Sequence, residues 1–318
     1  MGVRNQTPVV EFILLGFSGI PNSHIYLFPP FLAIYLVTVL GNLMIFILIQ
    51  MDSSLHTPMY YFLSHLCFLD ICLSSVTVPK ILVNFLRQQQ TISYHECMAQ
   101  LFFLISFTGV ECVLLTVMAY DRYAAICKPL HYSHLMSPKV CTILAFATWV
   151  WGFLHALIHS ALSSKLYFCG AANQIHHIYC DLPPLFKIAC SDPHINELVI
   201  RITSFFVGGG PFFFIFLSYV FILSSILRKR SAETKRKAFS TCASHITVVI
   251  IYFGNGALNY NRPSAGYSSE IDTLVSSMIC ITPMVNPLIY SLRNKDVKGA
   301  FRKVLESQRK LKRHHAMN

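Results

Sequence analysis

Two carboxylates sit where an apolar chain has least use for them: Asp70 in "FLSHLCFLDICLSSV" and Glu111 in "FFLISFTGVECVLLTV". A charged side chain at the centre of an apolar helix costs about 2.5–3.5 kcal/mol on insertion scales. The surrounding Leu, Ile, Val and Phe offset that cost without explaining it. Two such groups at close range either share a proton or hold a cation. Asn286, in "MVNPLIY", is the natural third polar partner. A second group is Asp121-Arg122-Tyr123, where an uncharged run ends and the basic, proline-containing "CKPLHY" follows. It reads as an ion pair at a water boundary whose opening frees Arg122 for a partner or a neighbouring helix. A plain interfacial anchor would also place arginine there. No nucleophile–base pair or closed metal-ligand set stands out in the sequence, so it does not suggest an enzyme.

The elements that must position these groups follow from composition. Of 318 residues 54% are apolar and 12% charged, with a mean hydropathy of +0.53; soluble domains carry roughly 25% charge. The net charge of +11 lies in short clusters between apolar runs, without interleaved aromatics. That pattern fits a membrane surface and argues against nucleic acid. Seven apolar runs, 25–50, 57–79, 97–120, 140–163, 198–227, 238–261 and 272–292, are each near or above the ~20 residues of a spanning helix. The fold class is therefore an all-α membrane protein, a seven-helix bundle. The run "GGGP" at 208–211 predicts a kink in the fifth helix.

Orientation follows from lysine and arginine. The connector after the third run carries three, that after the fifth six and the tail after the seventh nine of the chain's 25. These segments belong in the cytoplasm, which leaves the N-terminus outside and the C-terminus inside. The organisation expected is an extracellular tail over 1–24, a seven-span membrane domain over 25–292 and a cytoplasmic basic segment over 293–318. The first residues lack a basic stretch followed by a cleavage site, so the first span is expected to act as a signal anchor. Asn5-Gln6-Thr7, the chain's one N-x-S/T acceptor, falls on the outer side and predicts glycosylation of Asn5.

Four of the eleven cysteines, Cys97, Cys169, Cys180 and Cys190, lie in outer segments. An even set in oxidising surroundings argues for two disulfides, with three pairings open. They would staple the long loop before the fifth span into a lid. A metal set of His176, His177 and Cys180 is the competing reading. Asp70 and Glu111 lie at heights of roughly 20 and 15 Å from the inner ends of their helices, so they can approach one another.

The stretches "GN" (41–42), "LHTPMYYFLSHLCFLD" (55–70), "MAYDRYAAICKPLHY" (118–132), "KAFSTCASH" (237–245) and "NPLIYSLRNKDVKGA" (286–300) together resemble the vertebrate odorant (olfactory) receptors. These are a branch of the rhodopsin-like G-protein-coupled receptors, and the likeness covers nearly the whole chain. It implies a plasma-membrane protein, in the cilia of olfactory neurons, that binds a small hydrophobic volatile and raises cyclic AMP through a stimulatory G protein of the olfactory type. Asp121, Arg122 and Tyr123 then form the inner switch, with Arg122 meeting the G protein. Asn286, Pro287 and Tyr290 belong to the seventh-helix activation motif, with Tyr219 and Tyr290 swinging inward. Asp70, Glu111 and Asn286 match a site for a bound sodium ion; no other cofactor is implied. The disulfides implied are Cys97–Cys180 and Cys169–Cys190. The segment 293–307 resembles an amphipathic helix on membrane lipid, with Val297, Phe301, Val304 and Leu305 facing the lipid.

By position, the resemblance places the ligand in the outer half, lined by Leu104, Ile105, Thr108 and Gly109 of the third span. Thr203, Ser204 and Val207 of the fifth and Phe253, Gly256, Ala257 and Tyr260 of the sixth complete the lining. It carries no formal charge, which suits a hydrophobic ligand held by shape and one or two hydrogen bonds. The sequence departs from the family at "IYFG" (251–254), where Phe-Tyr-Gly is usual. Phe253 replaces the tyrosine, so a hydroxyl is expected to be lost from the pocket floor, with Tyr252 pointing elsewhere. Two rivals remain at this stage. One is a rhodopsin-like receptor for a lipid or peptide. The other is a proton or ion transporter built on Asp70 and Glu111, although the inverted repeats usual in transporters are not visible.

Overall fold

The computed structural model describes residues 9–17, 23–87, 90–169, 173–228, 231–260, 269–293, 296–304 and 306. Asn5 and the tail beyond 306 lie outside the described residues, as do Leu305 and the side chains of Tyr260 and Tyr290. The long helices are α1 (Ser23–Met51), α2 (Pro58–Leu86) and α3 (Tyr94–Cys127), followed by the short α4 (Tyr132–Leu135) and by α5 (Pro138–Ser163). Next come α6 (Leu182–Ile188), α7 (His194–Ser204), a π-helical turn over Phe205–Gly209, α8 (Gly210–Arg228), α9 (Ala232–Tyr260) and α10 (Ser269–Arg293). Five stretches among the described residues are long and apolar enough to cross a membrane: Ile25–Met51, Pro58–Leu86, Tyr94–Cys127, Pro138–Ser163 and His194–Arg228. The last runs from α7 through the π turn into α8 as one span. With α9 and α10 packed on each other and on α3, α2 and α1, the bundle has seven helices, and α3 touches most of them.

The helices overrun the apolar stretches because caps set their ends, whereas hydropathy marks only the lipid. Ser93 and Glu96 form a reciprocal capping box that starts α3 three residues before its apolar run. Pro58 and Pro138 stand in first turns, where no backbone hydrogen bond is lost.

Prolines deeper in the bundle create a vacancy that other helices fill. Pro287 has no N–H to give the Pro283 carbonyl four residues earlier in α10. Asn42 of α1 supplies the donor instead, its Nδ2 lying 3.1 Å from that oxygen and 3.0 Å from the Thr38 carbonyl. Gly41 makes the approach feasible, since a Cβ there would meet the Pro287 ring at 3.2 Å. The pair "GN" is thus the complement of a proline about 245 residues away. Pro211 repeats the pattern. The Val207 carbonyl, deprived of its usual donor, accepts from the Cys112 thiol of α3 at 2.7 Å, and the chain takes π register over Phe205–Gly209. The kink expected at "GGGP" takes this form.

Outside the bundle lies a small sheet that the apolar runs do not show. Strands β1 (Glu11–Leu14), β2 (Thr91–Ser93) and β3 (Gln174–Ile175) lie in the order β2-β1-β3. Phe12 faces Ile92 across an antiparallel pair, while Leu14 pairs with Ile175 in a parallel one. Period-2 alternation turns Phe12 and Leu14 inward, and both are fully buried, with Phe12 edge-on to Phe168. The N-terminal segment therefore pins the lid to the top of α3.

One expectation is corrected at the inner end. Residues 296–304 are helical, but Val297 is buried in the main core and Val304 packs against it, leaving Phe301 exposed. The reason is docking. Tyr60 donates to Asp296 at 3.1 Å, and Lys303 pairs with Asp52 at 3.0 Å. Hydrogen bonds from Ser54, with Lys303 beside it, lower the Asp52 carboxyl to about 2, so the carboxylate stays ionised at any physiological pH.

Candidate functional site

Midway through the bundle, Asp70 of α2, Glu111 of α3 and Asn286 of α10 are all buried. The Asn286 amide donates to both Asp70 oxygens at 3.0 Å. Glu111 Oε1 has no hydrogen-bond partner. Three helices thus converge on two buried carboxylates, one of them held by the Asn286 amide. The set holds two acidic ligands and an amide; no cluster of three or more His, Cys, Asp or Glu suited to a metal occurs among the described residues.

At the inner end, Asp121 and Arg122 are buried, but the partner of Asp121 is Tyr132, whose hydroxyl donates at 2.8 Å. Among the described residues Asp121 makes no ion pair within 4.0 Å. The ion-pair expectation is therefore replaced by a tyrosine clasp from the short inner helix α4. The Nε of Arg122 is buried without a partner. Tyr123 lies edge-on to Phe221 of α8. Tyr219 of α8 stacks on His245 of α9 and shares a 2.8 Å hydrogen bond with its Nδ1, closing α8 onto α9. His245 closes "KAFSTCASH", and sequence reasoning gave it no role. The available signal was a histidine inside an uncharged run.

At the outer end, Cys97 is bonded to Cys180 and Cys169 to Cys190. A metal set using Cys180 is thereby overturned: its sulfur is in the bridge, and His177 is engaged by Ser276 at 2.6 Å and by the Tyr179 carbonyl. Leu104 and Ile105 are buried in the two hydrophobic cores, and Gly109 turns toward α5, where a Cβ would meet Gly152 and His155. Thr203 bonds to His159 of α5, and Ser204 is half-buried. Val207 is held by Cys112, Gly256 faces open space, and Ala257 is exposed. Phe253 packs against Phe212. Tyr252 does not point elsewhere, since its hydroxyl donates to the Thr108 carbonyl of α3. The hydroxyl displaced from position 253 is thus present one residue earlier, spanning α9 and α3.

The family profile described as Olfactory receptor matches residues 31–308. The chain belongs to the olfactory receptor family. It is 50% identical over 305 residues to Olfactory receptor 5AP2 of Mus musculus, covering 96% of each chain. It is 48% identical to Olfactory receptor 5B21 of Mus musculus (95% of each chain) and to Olfactory receptor 1G1 of Gorilla gorilla gorilla (95% of this chain, 96% of the relative). The receptor is accordingly a multi-pass plasma-membrane protein that binds odorants and couples to a G protein, and it is not an enzyme. Its inner contacts give a first prediction. Tyr219→Phe removes the hydroxyl on His245, a net hydrogen bond of about 0.5–1.5 kcal/mol. Ligand-independent signalling is expected to rise roughly 2–12-fold, read as basal reporter activity normalised to surface receptor. Unchanged or lower basal signalling would assign the contact to another state.

Proposed function

We propose that the odorant is small, uncharged and largely hydrophobic, and that it binds in the outer half between α3, the α7–α8 span and α9, beneath the stapled loop. The lining is that inferred from position, Leu104, Ile105, Thr108, Thr203, Ser204, Val207, Phe253, Gly256, Ala257 and Tyr260, with Gly109 behind it. The observation that carries this reading is the Tyr252 hydroxyl on the Thr108 carbonyl. It supports a floor at which one polar group ties the moving helix α9 to α3. A ligand shifts a conformational equilibrium only by binding its states unequally. One that takes over this hydroxyl favours the arrangement in which α9 parts from α3. The signal then leaves through a stimulatory, olfactory-type G protein that raises cyclic AMP, in the cilia of sensory neurons. The basic inner segments around Arg228–Lys237 support that docking.

The test is a panel of volatiles on cells with a cyclic AMP reporter and surface-labelled receptor. Tyr252→Phe is expected to shift the potency of the best agonist roughly 2–12-fold, the range of one hydrogen bond, at unchanged surface level. Unmoved potency in Tyr252→Phe, Thr108→Val and Phe253→Ala alike would remove the pocket from this place.

Asp70, Glu111 and Asn286 support a resident sodium ion. The donor set fits: two buried carboxylates, one with an unbonded oxygen, suit a hard cation that takes oxygen ligands. Asn286 presents its NH2 group to Asp70 and would turn its amide oxygen inward to become a ligand. The ion would neutralise charge here and favour the resting arrangement.

A further inference from the structure

We propose that His155 and His159 of α5, with Thr203 of α7, form a weak, exchangeable binding site for a divalent transition cation of the zinc class near the outer mouth of the bundle. The two histidines are four residues apart, so they share one helix face. They lie roughly 12 and 6 Å below the outer end of α5 at Ser163, within reach of an ion arriving from outside. Their Nε2 atoms are 3.2 Å apart, with ring planes at 74°. Thr203 Oγ1 lies 3.0 Å from His159 Nε2.

Hydrogen bonding alone does not satisfy this group. The Thr203 hydroxyl already has acceptors in the carbonyls of Val199, at 2.8 Å, and Ile200, so the threonine turns a lone pair toward His159. A neutral imidazole carries one N–H. If His159 donates from Nε2 to Thr203, then His155 faces the same hydrogen with a bare nitrogen and carries its own proton on Nδ1. That Nδ1 is buried and has no partner. If His155 donates from Nε2 instead, the His159 nitrogen accepts that hydrogen, the Thr203 lone pair facing it gains no donor, and His155 Nδ1 still has no partner. One cation at the meeting point accepts all three lone pairs. Two imidazole nitrogens at ~2.0–2.1 Å from a tetrahedral ion lie about 3.3 Å apart, close to the observed separation. Imidazole suits zinc, copper and nickel. The unpartnered Nδ1 of His155 also sets the strength. Ligating histidines usually donate that N–H to a second group, a contact worth about 10–100-fold in affinity. The site therefore exchanges its ion rather than storing it, and occupancy would tie α5 to α7 beside Gly109.

The test is cobalt(II) titration of the purified full-length receptor in lipid nanodiscs, followed by the visible absorption of tetrahedral cobalt and reversed by zinc. His155→Gln is expected to weaken binding at least ~10-fold, the double His155→Gln/His159→Gln variant to abolish it, and Thr203→Val to weaken it less. Each variant's fold is checked by thermal unfolding, and zinc should raise the unfolding midpoint of the parent but not of the double variant. Should the double variant not fold, His155→Gln decides, because its Nδ1 has no hydrogen bond to lose. Parent and His155→Gln receptors with the same cobalt affinity and spectrum would overturn the proposal and assign the ion to exposed histidines such as His56 and His131. Absence of saturable cobalt binding by the parent would reduce the pair to a hydrogen-bonded contact.

Discussion

Odorant-evoked cyclic AMP is expected to vanish in Arg122→Ala while surface receptor stays near the parent level. Both halves of that result follow from the contacts of the inner end. Asp121 is held by Tyr132, so removing the arginine leaves that carboxylate its hydrogen bond. The Nε of Arg122 has no partner in this arrangement, so folding forfeits little there. Docking of the G protein is a different matter. The guanidinium offers a planar fork of donors that an ammonium cannot reproduce, and each charge-assisted bond contributes about 1.5–3 kcal/mol. Two such bonds to the partner amount to at least ~3 kcal/mol, more than ~100-fold in coupling. Arg122→Lys keeps the charge but not the fork and should recover only part of the response. Surface labelling beside a cyclic AMP reporter checks both halves. A full response in Arg122→Ala would mean that the G protein reads another residue.

The bundle was legible because lipid imposes a one-dimensional rule: each apolar run long enough to cross became a helix, and the lysine and arginine bias oriented it. The approach of Asp70 and Glu111 was legible from helix rise, with Asn286 read as their polar partner, and all three are buried. What escaped were arrangements whose partners are distant in sequence. "EFIL" at 11–14 is too short for its alternation to be noticed, and its partners β2 and β3 lie near residues 92 and 175. Tyr132 and His245 acquire meaning only when the fold sets them against Asp121 and Tyr219. The family resemblance placed Val297 on the lipid, yet Tyr60 and Lys303 anchor its helix against the bundle. Tyr252 shows the limit of aligning one motif. Exchanging neighbours in "IYFG" moved a hydroxyl by one helical position without removing it from the α3–α9 contact.

The same distance from sequence governs the largest stability effect, at a glycine that motif reading passes over. A Cβ at Gly152 of α5 would lie 2.6 Å from the Ser106 carbonyl and 2.8 Å from the Val110 nitrogen of α3, and would overlap the Val110 side chain. Ordinary overpacking costs about 1–3 kcal/mol when side chains can move aside. Here two of the atoms met are backbone of the central helix, so α3 and α5 must separate, and the cost lies at or above the upper end. Since ~1–2 kcal/mol already changes cellular abundance several-fold, Gly152→Ala is expected to lower surface receptor more than ~10-fold. Gly109, on the facing side of the same contact, supplies the control. Its Cβ would lie 3.4 Å from Gly152 Cα and 3.5 Å from His155 Nδ1, ordinary contact distances, so Gly109→Ala should reach the surface near the parent level. Flow cytometry of tagged receptors separates the two, and equal surface levels for both variants would show that close approach of α3 and α5 does not limit folding.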